Sequence, residues 1–557
     1  MTRAIASLSA ALLMSGWVYV ALAFIVALPL VAIALQAVFP HMPSGVWTEA
    51  FSHWVLIQSD PLLLELLGNT LSLGLSVTLL SLLLGGSLGV LRGLRQVPMG
   101  RFWDVVMLIP FMMPPYIGAM AWTFSLQPGG YSTQLLGVSA NEWLFSSAGI
   151  ALIMALHLFP VVYFAVSRTV AAIGDRFLEA ASVCGANKQK QLVRIVLPLS
   201  MPAWAASLLL VFSLSIEEYG TPAVLGKPSQ FLVLVTRIEE KFAEWPIDLA
   251  GAALLSLMLL SLSLMAYFLQ RHLQRNAHVV SVSGKGSTSS QQSPIRFPLL
   301  TTLCFVAVAL FAVGLPVFGM LATAFSKTLS GGLAWDNLGL RHFAAVVSNE
   351  TGALDSLWVS WSLGGVTAMI TAILGGSAAW LSVRRSGASS TVLNAMASLP
   401  NALPAMVLAV GLILVWNQPF WPMTPYNTYG ILLLAYVCLL LPYPVQYIGT
   451  AIKQISPSLE ESARVSGARP LLFMRKIMAP MLAPQTGAAM LLVFAVASRE
   501  LVASVMLSPP GTKTVSTFIF NQFSQGSPNE GMALAAVAIG LSTLILVLVQ
   551  VRFKPSV

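Results

Sequence analysis

Twelve apolar stretches alternate with short polar segments along the chain. The first six lie near 14–39, 66–91, 104–126, 147–170, 203–225 and 249–270, and the second six near 299–325, 356–383, 393–416, 429–450, 486–508 and 531–552. Each reaches or approaches the roughly 20 residues that a bilayer core requires. Backbone N–H and C=O groups have no water partner in such a core, so each stretch is expected to be a helix. Composition points the same way. Hydrophobic residues make up 57% of the 557 residues and charged residues 9%, against about 25% charged residues in soluble domains. The chain is therefore expected to be an all-α polytopic membrane protein with about 12 transmembrane helices.

The opening segment, MTRAIASLSAALLMSGWVYVALAFIVALPLVAIAL, is longer than the apolar core of a signal peptide and has no convincing cleavage site. It is expected to be an uncleaved first span. Between the two sets of six, residues 271–298 read RHLQRNAHVVSVSGKGSTSSQQSPIRFP, a Ser-, Gly-, Gln- and Pro-rich composition that suits a flexible linker.

The sets resemble each other across that linker. Leu84-Gly85-Gly86-Ser87 recurs as Leu374-Gly375-Gly376-Ser377, and Pro110 and Pro114 recur as Pro400 and Pro404, at an offset of 290. Leu210-Val211-Phe212 recurs as Leu492-Val493-Phe494 at an offset of 282. An even number of spans in each half gives a parallel tandem repeat. The expected organisation is a first half at 1–270, a linker at 271–298 and a second half at 299–557.

Charge orients the repeat. If both termini, the linker and the loops at 175–202 and 456–484 face the cytoplasm, that side holds 22 of the 29 Lys and Arg residues. The outer loops then hold 6 basic and 12 acidic residues, and Arg499 lies within a span. This satisfies the positive-inside rule. The net charge of +9 is not gathered into a basic patch interleaved with aromatics, which argues against a nucleic-acid partner. Cys184, Cys304 and Cys438 lie far apart without metal-ligand spacing and are expected to be buried as small apolar residues.

Two of the cytoplasmic loops say the same thing. Residues 179–198 read EAASVCGANKQKQLVRIVLP and residues 461–480 read ESARVSGARPLLFMRKIMAP. In each, Glu is followed by a short helical segment and then by Gly185 or Gly467, a residue suited to a sharp turn. An amphipathic basic helix is expected next, carrying Lys188, Lys190 and Arg194 in the first copy and Arg469, Arg475 and Lys476 in the second. A protrusion of this shape can dock in a partner's groove and transmit a push. No GxxxxGK[ST] stretch occurs, and no soluble segment is long enough to house one, so chemical energy has to come from another polypeptide.

The repeated loop resembles the EAA motif of ABC-importer permeases: Glu-Ala-Ala, three residues, Gly, nine residues, Ile-x-Leu-Pro. Glu179, Ala180, Ala181, Gly185, Ile195, Leu197 and Pro198 fit throughout; Glu461, Ala463, Gly467, Ile477 and Pro480 fit, with Ser462 and Ala479 departing. The stretches PFMMPPYIGAMAWTFSLQPGG, FSLSIEEYGTPAVLG and LSPPGTKTVSTFIFN further resemble fused permeases of iron(III) importers. That wider group also serves 2-aminoethylphosphonate, thiamine, polyamines and sulfate.

The resemblance implies two six-helix repeats of the type I ABC-importer fold in the inner membrane, with both termini cytoplasmic. It implies an extracytoplasmic binding protein that delivers substrate, and two ATP-binding subunits that push on the two loops. This chain would then hold no catalytic residue, metal or cofactor, with ATP bound on the partners. Iron(III) is the expected substrate, although no residue in the chain chooses among the candidates. A 12-span transporter driven by an ion gradient is the rival reading; it would need no ATPase.

Four charges fall inside or at the ends of spans: Glu217, Glu218, Arg499 and Glu500. The 282 offset superposes Glu218 on Glu500 and Glu217 on Arg499. Intramembrane charges are costly and often mark pathways. The two readings are a gate or lining of the translocation path, and a structural lock. Each half also has a proline-broken span, at 109–122 and 399–411; broken helices are tolerated where they pack on protein or line a cavity. His157 is expected to pack or hydrogen-bond within its span, since no further ligand lies at metal-binding spacing.

Overall fold

The computed structural model describes residues 16–41, 47, 49–52, 54, 61–173, 175–275, 293–294, 297–385 and 387–552. Most of the linker expected at 271–298, part of the outer segment at 40–65 and residues 1–15, which include the start of the first span expected near 14–39, lie outside the described residues.

The described residues are mostly helical. Its principal helices are α1 (Gly16–Val38), α2 (Pro61–Leu94), α3 (Gly100–Met112), α4 (Pro115–Leu126), α5 (Ser147–Ile173), α6 (Asp175–Val183), α7 (Lys188–Glu217), α8 (Leu234–Ala243), α9 (Leu249–Arg275) and α10 (Pro298–Phe325). The second set comprises α11 (Ala353–Arg384), α12 (Ala388–Ser398), α13 (Ala405–Trp416), α14 (Tyr429–Leu440), α15 (Pro442–Gln454), α16 (Pro457–Val465), α17 (Leu471–Ala497), α18 (Val502–Leu507), α19 (Val515–Ser524) and α20 (Pro528–Arg552). Among the described residues, 8 helices are long and apolar enough to cross a membrane, or 11 if each bent pair is one span. The last expected position holds α20, a helix of 25 residues.

The chain forms two compact units. One comprises 1–57, 238–260 and 343–557; the other comprises 58–237 and 261–342. The units interleave along the sequence, because the first helix of each half sits in the unit built mostly by the other half. Within the first unit α1 packs on α13, where a Cβ on Gly411 would lie 2.7 Å from the Pro29 carbonyl oxygen. Within the second unit α10 packs on α4, where a Cβ on Gly319 would lie 2.6 Å from the Ala121 carbonyl oxygen. Close backbone approach at small residues is how apolar helices associate when the surrounding lipid is as apolar as they are.

Each unit contains the same bent element. Proline has no N–H and pushes the preceding residue into the extended region. Met113 (φ −79°, ψ 134°) and Leu403 (φ −102°, ψ 114°) are extended before Pro114 and Pro404. The chain bends by 93° at the first and 113° at the second. The prolines at 110 and 400 sit inside the segments that lead into these bends.

The units differ in how tightly the helix after the bend is approached. In the second unit Gly85, Gly89 and Gly93 form a seam of α2 against α5. A Cβ on Gly85 would fall 2.4 Å from the Phe159 carbonyl oxygen, and one on Gly93 would fall 2.8 Å from the Val170 Cβ. In the first unit Gly375 keeps the contact, since a Cβ there would fall 3.1 Å from the Pro444 Cβ, but the next two seam positions are Ala379 and Val383.

The cysteine expectation is corrected. Only Cys438 is buried; Cys184 and Cys304 are exposed. Cys184 directly follows helix α6, and Cys304 lies on the apolar helix α10 with its side chain exposed.

Candidate functional site

The two repeated loops fold alike. Helix α6 ends in a turn whose hydrogen bonds run from Ala186 N to the Ala181 carbonyl (2.9 Å) and from Gly185 N to the Ser182 carbonyl (2.9 Å). Helix α16 ends the same way, from Ala468 N to Ala463 O (2.9 Å) and from Gly467 N to Arg464 O (3.0 Å). This pairing of a six-residue and a four-residue closure is a Schellman cap, which needs a left-handed residue after the last helical turn. Gly185 has φ +80° and Gly467 has φ +78°. No atom lies within 4 Å of where a Cβ would stand on either, so the requirement is conformational, not steric.

Both loops re-enter the membrane domain through a long helix, α7 or α17. Each of these helices has a widened turn at the same place, Leu192–Val196 and Met474–Met478. Leu197 N bonds to Leu192 O and Ala479 N to Met474 O, five residues back. Pro198 and Pro480 follow directly. Each lacks the N–H that a regular turn would require, and a widened turn accommodates this. Ile195 and Ile477 sit half-buried inside these turns, and their neighbours Val196 and Met478 are buried.

The motif therefore divides its labour. Ala463 and Ile477 pack with Ile452, Phe473 and Leu482 and hold the second loop to its unit. Glu179, Ala180 and Glu461 point away and are exposed. Beside them, Val183 is 89% exposed and Val465 is 90% exposed. These valines are 282 residues apart, the same offset as the rest of the motif, yet they are no part of the motif's pattern. The sequence does carry a signal for them: an apolar residue recurring at one position of two polar loops.

The anchoring also differs between copies. In the second loop Glu460 accepts from Arg464 Nη2 at 2.6 Å and lies 4.0 Å from Arg384 Nε. Arg384 also donates to the Ile455 carbonyl at 3.0 Å and covers Trp380. The first copy has Leu178 where Glu460 stands. There the turn is braced from within, as Gln191 Nε2 donates to Ser182 Oγ (2.7 Å) and to the Ala186 carbonyl (3.0 Å). Arg384 and Glu460 belong to the machinery of the loop but not to its motif, so their pairing depended on the fold.

The intramembrane charges take up distinct positions. Helix α7 ends at Glu217 and the backbone turns extended at Glu218. The Glu218 carboxylate accepts from Thr221 N through both oxygens, at 3.1 and 2.9 Å. In the other unit Glu500 Oε1 accepts from Ala503 N at 3.2 Å, three residues on in each case. Each glutamate caps the start of a short helical segment, where free N–H groups and the helix dipole favour a negative group. Tyr436 braces the second copy, donating to the Glu500 carbonyl (3.2 Å) and meeting Ser504 Oγ at 2.7 Å. Arg499 lies within electrostatic reach of Tyr443 and Glu500. Glu217 is half-buried, and its Oε1 makes no hydrogen bond among the described residues.

The segments that follow these caps are tied back to their units in matching fashion. Thr70 Oγ1 accepts from Leu234 N at 2.9 Å, and Ser360 Oγ accepts from Val515 N at 2.8 Å. Thr70 and Ser360 are 290 residues apart, so a hydroxyl on α2 or α11 satisfies a first-turn amide of α8 or α19. His157 stacks near Phe111, with ring centroids 6.1 Å apart. Among the described residues no group of three His, Cys, Asp or Glu side chains could hold a metal.

Comparison with known proteins gives two matches to one family model, described as "binding-protein-dependent transport system inner membrane component", at residues 81–279 and 371–557. The ferric transport system permease protein FbpB of Actinobacillus pleuropneumoniae is 27% identical over 455 residues, covering 80% of this chain. The chain spans 64% of that relative's length. The Fe(3+)-transport system permease protein FbpB 2 of Haemophilus influenzae is 25% identical over 472 residues, covering 83% of this chain and 85% of its own. A Salmonella paratyphi A permease whose name assigns it provisionally to 2-aminoethylphosphonate transport (PhnV) is 29% identical over 244 residues, covering 43% of this chain and 90% of its own.

Proposed function

Because this chain belongs to the family of binding-protein-dependent transport system inner membrane components, we propose that it is the translocation subunit of an ABC importer, with ATP hydrolysed on separate subunits. The observation that carries this reading is the pair of protruding loops, alike in their caps, each presenting an exposed valine and an exposed glutamate beside a half-buried or buried alanine. Exposed apolar residues on a polar loop suit contact with another protein. Two such loops suit two ATP-binding subunits, docked at 175–202 and 456–484.

The rest of the scheme follows from charge and repetition. Both termini face the cytoplasm, since that orientation gathers the basic residues on the inner side. The net acidic outer loops receive an extracytoplasmic binding protein. The repeat units run from 1 to 270 and from 299 to 557, joined by the segment at 271–298. Glu179, Ala180, Ala181, Gly185, Ile195, Pro198, Glu461, Ala463, Gly467, Ile477 and Pro480 couple ATP hydrolysis to movement. Glu218 and Glu500 hold the turns that follow α7 and α17, and with Glu217 and Arg499 they border the translocation path.

The substrate proposed is iron(III), on the strength of relatives that align along most of the chain. A 2-aminoethylphosphonate substrate is the second reading, favoured by the higher identity to the phosphonate relative over the shorter aligned region. The test is uptake into vesicles that contain the chain and its ATPase, supplied with loaded binding protein. ATP-dependent accumulation of radioactive iron is expected. Uptake driven by a proton or sodium gradient without the ATPase would establish the rival, an ion-coupled transporter, and ATP-dependent uptake of the phosphonate alone would replace the substrate.

A further inference from the structure

The two units differ at one place that the repeat makes equivalent. In the second unit Arg92 on α2 grips Asp104 on α3 through both oxygens, Nε to Oδ1 at 3.1 Å and Nη2 to Oδ2 at 2.8 Å. Tyr163 on α5 donates to the same carboxylate at 2.7 Å. This is a closed, charge-neutral cluster in which the anion is built into the chain.

The repeat offsets place Ser382, Asn394 and Val445 at these positions in the first unit. The equivalence is supported by packing, since Gly85 abuts Tyr163 N and Gly375 abuts Val445 N. Arginine, aspartate and tyrosine have all been exchanged for smaller or neutral groups. In their place is a cleft of about 460 Å³, lined by residues of α11, α12 and α15 that include Ser382, Asn394, Ser398, Gln446 and Lys453. That volume lies within the range of small-ligand sites.

The donors facing this cleft are specific. The Ser382, Ser390, Thr391 and Thr450 hydroxyls already donate to backbone carbonyls. The Asn394 and Gln446 amides, the Ser398 hydroxyl and the Lys453 ammonium make no hydrogen bond or ion pair among the described residues. Asn394 and Ser398 are half-buried and Gln446 and Lys453 are exposed, so two carboxamides, a hydroxyl and an ammonium line one space and are open to a hydrogen-bonding occupant. Lys453 occupies the position of Ala171 in the other unit. The cation has thus moved from α2 to α15, and its internal anion has gone.

We infer that this cleft, at the end of α15 that leads into the second coupling loop, binds a phosphate-class oxyanion whose charge replaces the carboxylate that Asp104 supplies in the other half. Lys453 neutralises the anion, and Asn394, Ser398 and Gln446 donate to its oxygens. The phosphate can belong to a soluble ion or to an anionic phospholipid headgroup, and the test separates the two.

The full chain, with Cys184 and Cys304 changed to Ser and a reporter Thr391→Cys at the cleft mouth, is placed in lipid nanodiscs. The rate of reaction with a water-soluble maleimide is then measured. In purely zwitterionic lipid, inorganic phosphate at about nine times its Kd leaves a tenth of sites free, so labelling slows about tenfold. Slowing without added phosphate in discs containing phosphatidylglycerol identifies the headgroup as the source; either result supports the site. Lys453→Met is expected to abolish the slowing and Lys453→Arg to preserve it. Asn394→Asp, which restores an internal anion, is expected to abolish it as well. Unchanged labelling in both lipid arms, slowing that survives Lys453→Met, or equal slowing at the repeat-equivalent Arg101→Cys overturns the proposal.

Discussion

At the scale of single residues, the repeated motif rests on a left-handed glycine and on the widened turn that precedes its proline. The left-handed glycines have open space around them, so substitution strains the backbone without a clash. Alanine at Gly185 or Gly467 is expected to cost about 1–2 kcal/mol in cap geometry. A β-branched residue is worse there and is expected to misdirect the loop. Gly185→Val with Gly467→Val should reduce both ATPase co-purification and uptake while the protein stays in the membrane; normal values for both would remove the turn from the coupling mechanism. The capping glutamates give a second test. Glu218→Ala and Glu500→Ala are each expected to lose about 1 kcal/mol of cap, lowering thermal stability and uptake with ATPase retention unchanged. Glu→Gln keeps an acceptor and should recover part of the loss. Full uptake by the double alanine variant would leave the caps structural and the pathway elsewhere.

At the scale of elements, the helices, the proline bends and the loop turns were legible in the sequence, because each rests on local chemistry. Proline dictates its predecessor's conformation wherever it occurs, and Pro114 and Pro404 break their spans by the same geometry. The glycine seam was less legible. Gly85-Gly86 was visible as a repeat, but which glycine touches a neighbour depends on where α5 lies. Gly85→Ala, with a carbonyl oxygen 2.4 Å from the new methyl, is expected to abolish folded protein, whereas Gly365→Ala, with no atom within 4 Å, should be neutral or slightly stabilising. Yield and monodispersity in detergent distinguish them, and equal behaviour would contradict the packing. The Arg384–Glu460 anchor of the second loop supplies another asymmetry: Arg384→Ala is expected to raise protease cleavage within 456–470 and to leave 175–190 unchanged.

At the scale of the whole molecule, the exposed valines test the docking proposed for the two loops. Burying one valine contributes about 1.5–3 kcal/mol, so Val183→Asp with Val465→Asp should release the ATPase without changing the thermal midpoint of the isolated chain. Retained ATPase, measured by affinity co-purification, would place the contact elsewhere.

Class, repeat and the doubled loop motif came from the sequence by itself, because apolar length, charge bias and a glycine-bearing turn are local properties that the chain carries wherever it folds. The tertiary structure alone decided the rest. It put the first helix of each half into the unit built by the other, made Glu218 and Glu500 helix caps, exposed Val183 and Val465, and opened in one half the space that Arg92, Asp104 and Tyr163 close in the other. Those outcomes depend on which faces meet across hundreds of residues, and side-chain partners that distant leave no mark on local pattern.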